Sequence, residues 1–155
     1  MRIQLVSDLH LEFADINIQK LNNADVLVLS GDIMIASKVH KQESEYGKRF
    51  RDFLKRVSFQ FPHVVYVAGN HEFYHGRWVA SLAHLREECA AFPNVYFMER
   101  DIKTIGDITF IGCTLWTDCN NGDPLTLHAL TDMMNDYKII RNDEKGYTKL
   151  RPAHT

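Results

Sequence analysis

Three apolar runs in the first half of this 155-residue chain each end abruptly in polar side chains of the kinds that bind metal ions. The runs cover residues 3–6, 26–29 and 64–68, and their many β-branched residues predict buried strands. Asp8 and His10 lie just beyond the first run. Because residues i and i+2 of an extended backbone point the same way, these two side chains are expected to converge on one spot.

The second and third runs end in the same manner. Gly31-Asp32 follows the second run, and Gly69-Asn70-His71-Glu72 follows the third. Each motif alone is weak, because Gly-Asp pairs commonly mark turns and Asp-x-His pairs arise by chance. Three such motifs in order, each behind a predicted strand, indicate a metal site at the strand exits.

Length and composition indicate one soluble globular domain over residues 1–155, with 45% hydrophobic and 25% charged residues. The net charge of −2 gives no electrostatic case for nucleic acid or an anionic membrane as the main partner, although bound metal ions would add local positive charge. The three cysteines are not in CxxC pairs, which favours a reducing, cytoplasmic setting. No apolar stretch approaches the ~18 residues of a membrane span, and no signal-peptide pattern is present.

The rest of the pattern predicts alternating strands and helices. Apolar residues at helical spacing predict helices over 47–61 and from Trp78 to Cys89, which together with the three runs predict a parallel sheet. Residues 102–105 and 108–112 predict a two-residue hairpin, continued as a strand over 114–118.

Three further segments complete this interpretation of the chain. Residues 33–46 are expected to form a loop over the site. Asp123 is expected to cap a helix whose Leu127, Leu130 and Met134 face the core. The chain is expected to become polar after Asn135, and His154 is expected to lie in a tail beyond Pro152.

The residue types suit a particular metal chemistry. A mixed set of Asp, His and Asn favours a transition metal over calcium, since imidazole suits Mn, Fe or Zn. Asp32 has two oxygens and can bridge two ions ~3.5–4 Å apart. Asn70 and His71 are adjacent and their side chains diverge, so that Asn70 can bind metal while His71 faces the substrate as a proton donor. Glu72 is expected to orient His71 or the following loop.

In these motifs the chain resembles the calcineurin-like metallophosphoesterase superfamily, and residues 102–118 resemble the later strands of its small bacterial and phage members. The resemblance implies an α/β fold, a four-layer α/β/β/α sandwich with a dinuclear site of divalent metal ions (Mn, Fe or Zn) at the strand ends. Carried over by residue, Asp8 and His10 bind the first metal, Asp32 bridges, Asn70 binds the second, and His71 is the catalytic proton donor.

The chain departs from the family pattern downstream. The family has a Gly-His or His-His block and then a Gly-His-x-His block, and neither is present here. His84, His128 and His154 are lone residues, and none of them follows a predicted strand. We therefore expect a C-terminally incomplete domain, a truncated product or a fragment, which binds one metal weakly through Asp8, His10 and Asp32 and is weakly active or inactive.

The sequence thus predicts a metal-dependent phosphoesterase, a phosphatase or phosphodiesterase that hydrolyses a small-molecule phosphoester with metal-activated water. Two alternatives stay open: a non-catalytic protein-binding module on the same fold, and a metal-dependent nuclease. An unfinished sheet would also expose an edge and favour oligomerisation.

Overall fold

A parallel sheet forms the centre of the computed structural model, which describes residues 1–39, 44–142 and 148–155. Its four strands are all parallel and lie in chain order, as β1 (Ile3–Val6), β2 (Val26–Ser30), β3 (His63–Val67) and β4 (Val95–Phe97). Val6 pairs with Leu29, and Ser30 pairs with Val67, so that the first three strands end side by side at one edge. This confirms the predicted α/β class and its parallel sheet.

Helices cover one face of this sheet. The α-helical segments are α1 (Ala36–Val39), α2 (Glu45–Gln60), α3 (Trp78–Ala90), α4 (Cys119–Gly122), α5 (Pro124–Met133) and α6 (Asp136–Ile139), with 3-10 turns at His71–Phe73 and Pro152–His154. α2 begins at a cap in which Ser44 Oγ accepts a hydrogen bond from Gly47 N at 2.9 Å. Its stripe of Phe50, Phe53 and Leu54 is fully buried against the sheet.

A β-hairpin covers part of the opposite face. β5 (Asp101–Ile105) and β6 (Ile108–Gly112) pair antiparallel about a turn at Gly106, whose φ is +61°. Ile105 packs with Val26, Val65 and Met98 in a second, smaller core. The described residues thus supply a helical layer, the parallel sheet and one hairpin of a second β layer. The predicted hairpin is confirmed.

Two predictions about the loops are wrong. Residues 33–35 are irregular as predicted, but they do not lie over the site, because Ile33 and Met34 are fully buried in the main core. Apart from the cap residue Ser44, the rest of the predicted loop is helical where it is described, in α1 and at the start of α2, while residues 40–43 lie outside the described part of the chain. Residues 114–118 do not continue β6 as a strand, because the hairpin ends at Gly112.

The C-terminal predictions are partly wrong. Asp123 caps α5 as predicted, accepting from Thr126 N at 2.8 Å, but α5 has no buried residue, and Leu130 and Met134 are only half-buried against the core. The expected polar character after Asn135 is wrong for part of the segment, because Tyr137, Ile140 and Leu150 are buried. The expected tail beyond Pro152 instead belongs to a 3-10 turn over Pro152–His154.

The outer side of the sheet carries an exposed edge. β1 is the first strand of the sheet order, with no partner strand on its outer side among the described residues. Ile3 and Leu5 pair with Val26 and Val28 on the face that the hairpin covers in part, and they are 51% and 65% exposed there. Oligomerisation through this edge stays a prediction. Among the described residues, no helix is both long enough and apolar enough to cross a bilayer.

Candidate metal centre

The candidate site lies at the carboxyl ends of β1, β2 and β3. In open α/β sheets this edge is where ligands bind. Asp8 follows β1, Asp32 follows β2, and Asn70 follows β3. All three side chains line one open cleft of about 670 Å³.

The loops after β1 and β2 are held together by their backbones. Asp8 N donates to Gly31 O at 3.0 Å, and His10 N donates to Asp32 O at 3.0 Å. Leu11 N continues the pattern onto Ile33 O at 2.8 Å. These cross-loop hydrogen bonds bring the first two motifs together, although the residues that carry them lie outside the regular strands.

The backbone at three candidate ligands is left-handed. Asp8, His10 and Asp32 have φ of 55°, 46° and 56°, a region that costs a non-glycine residue about 1–2 kcal/mol. Asp8 and His10 therefore converge through two left-handed residues, and not through the extended alternation that the sequence predicted. Such strain persists where the surrounding structure fixes it, and it is typical of functional sites.

Two glycines allow the second and third motifs to touch. A Cβ added to Gly31 would lie 2.8 Å from Gly69 Cα, and a Cβ added to Gly69 would lie 2.8 Å from Asp32 N. Both distances are shorter than real Cβ contacts, so a side chain at either position would force the loops apart. Glycine is required here for the close approach of backbone to backbone.

Glu72 binds these two loops to each other. Its carboxylate is fully buried and accepts from Asp32 N at 2.9 Å, Ile33 N at 2.7 Å, Gly69 N at 2.8 Å and the Tyr66 hydroxyl at 2.8 Å. Burial raises the pKa of this carboxyl from 4.5 to about 7, and the donated hydrogen bonds oppose that rise. Glu72 thus anchors the loops, and these bonds do not include the predicted one to His71.

One group of candidate metal donors consists of Asp8, His10 and Asp32. One donor atom from each lies within 4.8 Å of the others, and Asp32 and His10 are half-buried while Asp8 is exposed. Two carboxylates and an imidazole at this separation suit one divalent transition-metal ion. Asp32 Oδ1 also accepts from His71 N at 3.0 Å, which fixes the direction of that carboxylate.

Asn70 is oriented by an acidic residue that the sequence did not reveal. Its Nδ2 donates to Asp136 Oδ1 at 2.8 Å and to the Tyr74 hydroxyl at 3.2 Å. Because a carboxylate only accepts, the amide nitrogen must face Asp136, which leaves the Asn70 carbonyl oxygen free for another partner. Asp136 is buried and lines the same cleft, and no apolar run or motif precedes it in the sequence. Burial, with Asp136 nearby, raises the pKa of Tyr74 to about 12.

His71 lies beside His10 at the edge of the site. Their ring centroids are 4.5 Å apart at 86°, and His71 Nδ1 lies 2.8 Å from Glu12 Oε1. Glu12, another buried carboxylate that sequence reasoning missed, forms a second donor group with these two histidines. The roles assigned to His71 and to the four metal-ligand candidates stay predictions.

Trp116 also lines the cleft, and its ring packs on Trp78 with centroids 5.1 Å apart, as a core aromatic does. Among the described residues, the three lone histidines take no part in the candidate donor groups. His128 is exposed on α5, and His154 contacts Asn142. Within residues 1–39, 44–142 and 148–155, neither these histidines nor His84 joins a group of three or more clustered His, Cys, Asp or Glu donors.

The fold and the site together describe an α/β protein with a cluster of potential metal ligands at the ends of its strands. Comparison with known proteins identifies the family: the profile of the calcineurin-like phosphoesterases matches residues 1–153, and the chain belongs to that family. The family is one of metal-dependent phosphoester hydrolases.

One curated relative is the uncharacterised protein L509 of Acanthamoeba polyphaga mimivirus, which is 31% identical over 160 residues. The aligned region covers 97% of this chain and 56% of the relative, so the chain spans about half the length of the relative that it matches.

The first prediction concerns the buried carboxylate. Glu72→Gln replaces an acceptor of four hydrogen bonds by an amide whose NH2 faces buried donors, and unpaired buried donors cost about 1–3 kcal/mol each. We expect urea unfolding in EDTA to show a loss of at least about 2 kcal/mol. The control is Glu87→Gln on the exposed side of α3, which should change stability by less than about 0.5 kcal/mol. Equal stability of the two variants would contradict the anchoring role.

The second prediction concerns the left-handed backbone at Asp8. Because glycine adopts positive φ freely, Asp8→Gly should be about 1 kcal/mol more stable than Asp8→Ala in metal-free protein. At the exposed helical residue Ala83 the order should be reversed, with Ala83→Gly costing about 1 kcal/mol. Chemical unfolding of the three variants measures both differences, and a more stable Asp8→Ala would show that the backbone is not left-handed there.

Proposed function

We propose that this protein hydrolyses a small phosphomono- or phosphodiester with water activated by divalent metal ions bound at the ends of β1, β2 and β3. The observation that carries the proposal is the gathering of donor atoms from Asp8, His10 and Asp32 within 4.8 Å of one another at the mouth of an open cleft. Family membership supplies the reaction class.

In this proposal each residue has a role in metal binding that fits its side-chain chemistry. Asp8 and His10 would hold a first metal ion, Asp32 would be shared with a second, and Asn70 would offer its carbonyl oxygen to that second ion. Bound metal ions of this kind supply a nucleophilic hydroxide at neutral pH and stabilise charge on the phosphoryl oxygens. Mn, Fe or Zn suits the mixed donor set.

His71 is the proposed proton donor to the leaving oxygen. Its backbone N–H donates a hydrogen bond to Asp32 Oδ1, so His71 is held next to a side chain that binds metal in the same proposal. A general acid must lie within hydrogen-bond reach of the leaving group, and the position beside the strand ends supports that role.

The chain as it stands is proposed to hold one metal ion more firmly than two. Asp8, His10 and Asp32 cluster, whereas Asn70 is the neutral donor proposed for the second ion, and His84, His128 and His154 lie outside the donor groups of the described residues. Weak or undetectable turnover by these 155 residues is therefore part of the proposal.

The third prediction tests metal binding. At a Mn²⁺ concentration ten times the dissociation constant, binding should stabilise the folded chain by about 1.4 kcal/mol, which raises Tm by a few degrees and is reversed by EDTA. Asp32→Asn keeps the shape and the left-handed backbone but removes the charge, so it should abolish the rise. Asp52→Asn on the exposed face of α2 should retain it. A full Mn²⁺ effect in Asp32→Asn would refute the site.

The fourth prediction tests the reaction class. Inorganic phosphate, a product of monoester hydrolysis, should bind the chain in calorimetry only when Mn²⁺ is present, and turnover of bis-(p-nitrophenyl) phosphate should be weak. Phosphate binding that ignores Mn²⁺ would count against the phosphoesterase proposal. Robust EDTA-sensitive turnover that His71→Ala removes would instead refute the weak activity proposed for this chain.

A further inference from the structure

Glu12 is a buried carboxylate placed between two imidazoles of the candidate site. Its side chain is only 1% exposed, and its Oε1 lies 3.4 Å from His10 Nδ1 and 2.8 Å from His71 Nδ1. Its Oε2 has no hydrogen-bond partner among the described residues. A buried carboxylate is costly unless nearby groups compensate its charge, so the two rings are the partners that justify its position.

The two contacts differ in geometry. His10 Nδ1 is placed to hydrogen-bond Oε1, at a long distance. His71 Nδ1 is closer but has no directed hydrogen bond in the described part of the chain, so its contact with Glu12 is an electrostatic one. In both contacts the ring atom nearest the carboxylate is Nδ1.

This arrangement determines which nitrogen carries the hydrogen. A carboxylate only accepts, and an unprotonated Nδ1 of His71 would bring two electron-rich atoms within 2.8 Å of each other. The Nδ1–H tautomer avoids that repulsion, and in a neutral imidazole it leaves the lone pair on Nε2. The two rings are nearly perpendicular, so one carboxylate oxygen can serve both of them without the rings stacking on each other.

We propose that Glu12 is the positioning residue of the site, which holds His10 and His71 with hydrogen on Nδ1 and so leaves Nε2 of each ring as its working nitrogen. For His10 that nitrogen is the metal donor. For His71 it is the atom that takes up a proton from water to give the imidazolium and then donates it to the leaving oxygen. The roles of the two histidines rest on the proposed function, while the tautomers can be measured without it.

The experiment, which is the fifth prediction, is nitrogen NMR of the ¹⁵N-labelled chain without metal. At pH 8.5, well above the ordinary histidine pKa of about 6.5, two-bond ¹H–¹⁵N correlations distinguish the tautomers of neutral rings. His10→Asn and His71→Gln assign the two signals. We expect both rings as Nδ1–H in the wild-type chain. Glu12→Gln should shift them toward the Nε2–H form of free histidine, and Glu87→Gln should leave them unchanged.

A second measurement separates positioning from mere packing. Loss of a carboxylate that orients a metal-binding histidine typically lowers metal affinity 10- to 100-fold. Glu12→Gln should therefore weaken Mn²⁺ binding by that factor in calorimetry, while Glu87→Gln should not.

The outcomes are distinguishable from failure of the proposed function. Nε2–H tautomers in the wild-type chain would overturn the inference, and that outcome does not require a Glu12 variant to fold. A Zn²⁺ titration that moves the Nδ1 signals of both rings as metal-bound would also overturn it, because the group would then be a cation site itself. Nδ1–H tautomers in a chain that binds inorganic phosphate equally well without Mn²⁺ would support the positioning of the rings and count against the function alone.

Discussion

The arrangement of the site depends on one buried carboxylate, Glu72. The loops after β2 and β3 lie beyond the strand pairing, and their backbone N–H groups need acceptors that the sheet does not supply. Glu72 accepts from Asp32 and Ile33 in one loop and from Gly69 in the other, and Tyr66 adds a fourth hydrogen bond from within β3. The relative position of the second and third motifs is therefore a property of the folded chain and does not wait for a metal ion.

This anchoring allows the strained backbone around it to persist. Asp8, His10 and Asp32 are left-handed, and the hydrogen bonds from Asp8 N and His10 N to the loop after β2 hold the first motif against a loop that Glu72 has already fixed. The conformational entropy of the donor residues is thus lost when the chain folds and not when a metal ion binds. A site whose donors are ordered before the ligand arrives binds it with less loss of entropy.

The elements visible in the sequence were those with a local signature. Apolar runs predicted the strands, Gly106 with the flanking β-residues predicted the hairpin, and Asp123-Pro124 predicted a helix start. The sequence pattern did not predict residues whose burial depends on partners that are distant in the sequence. Buried Asp136 accepts a hydrogen bond from Asn70, which lies 66 residues earlier, and no pattern near Asp136 in the sequence predicts that contact. Glu12 is buried for a similar reason.

The three buried acidic side chains together give the site its electrostatic character. Glu12, Glu72 and Asp136 each lie one contact from a candidate ligand, and the candidate ligands add the charges of Asp8 and Asp32. The chain as a whole carries only −2, so this negative charge is concentrated at one end of the sheet. Repulsion from Asp32 helps to raise the pKa of Glu72. A bound divalent cation would relieve that repulsion. The cluster of acidic side chains, which lowers the stability of the metal-free chain, therefore favours binding of a cation over binding of an anion without a metal ion.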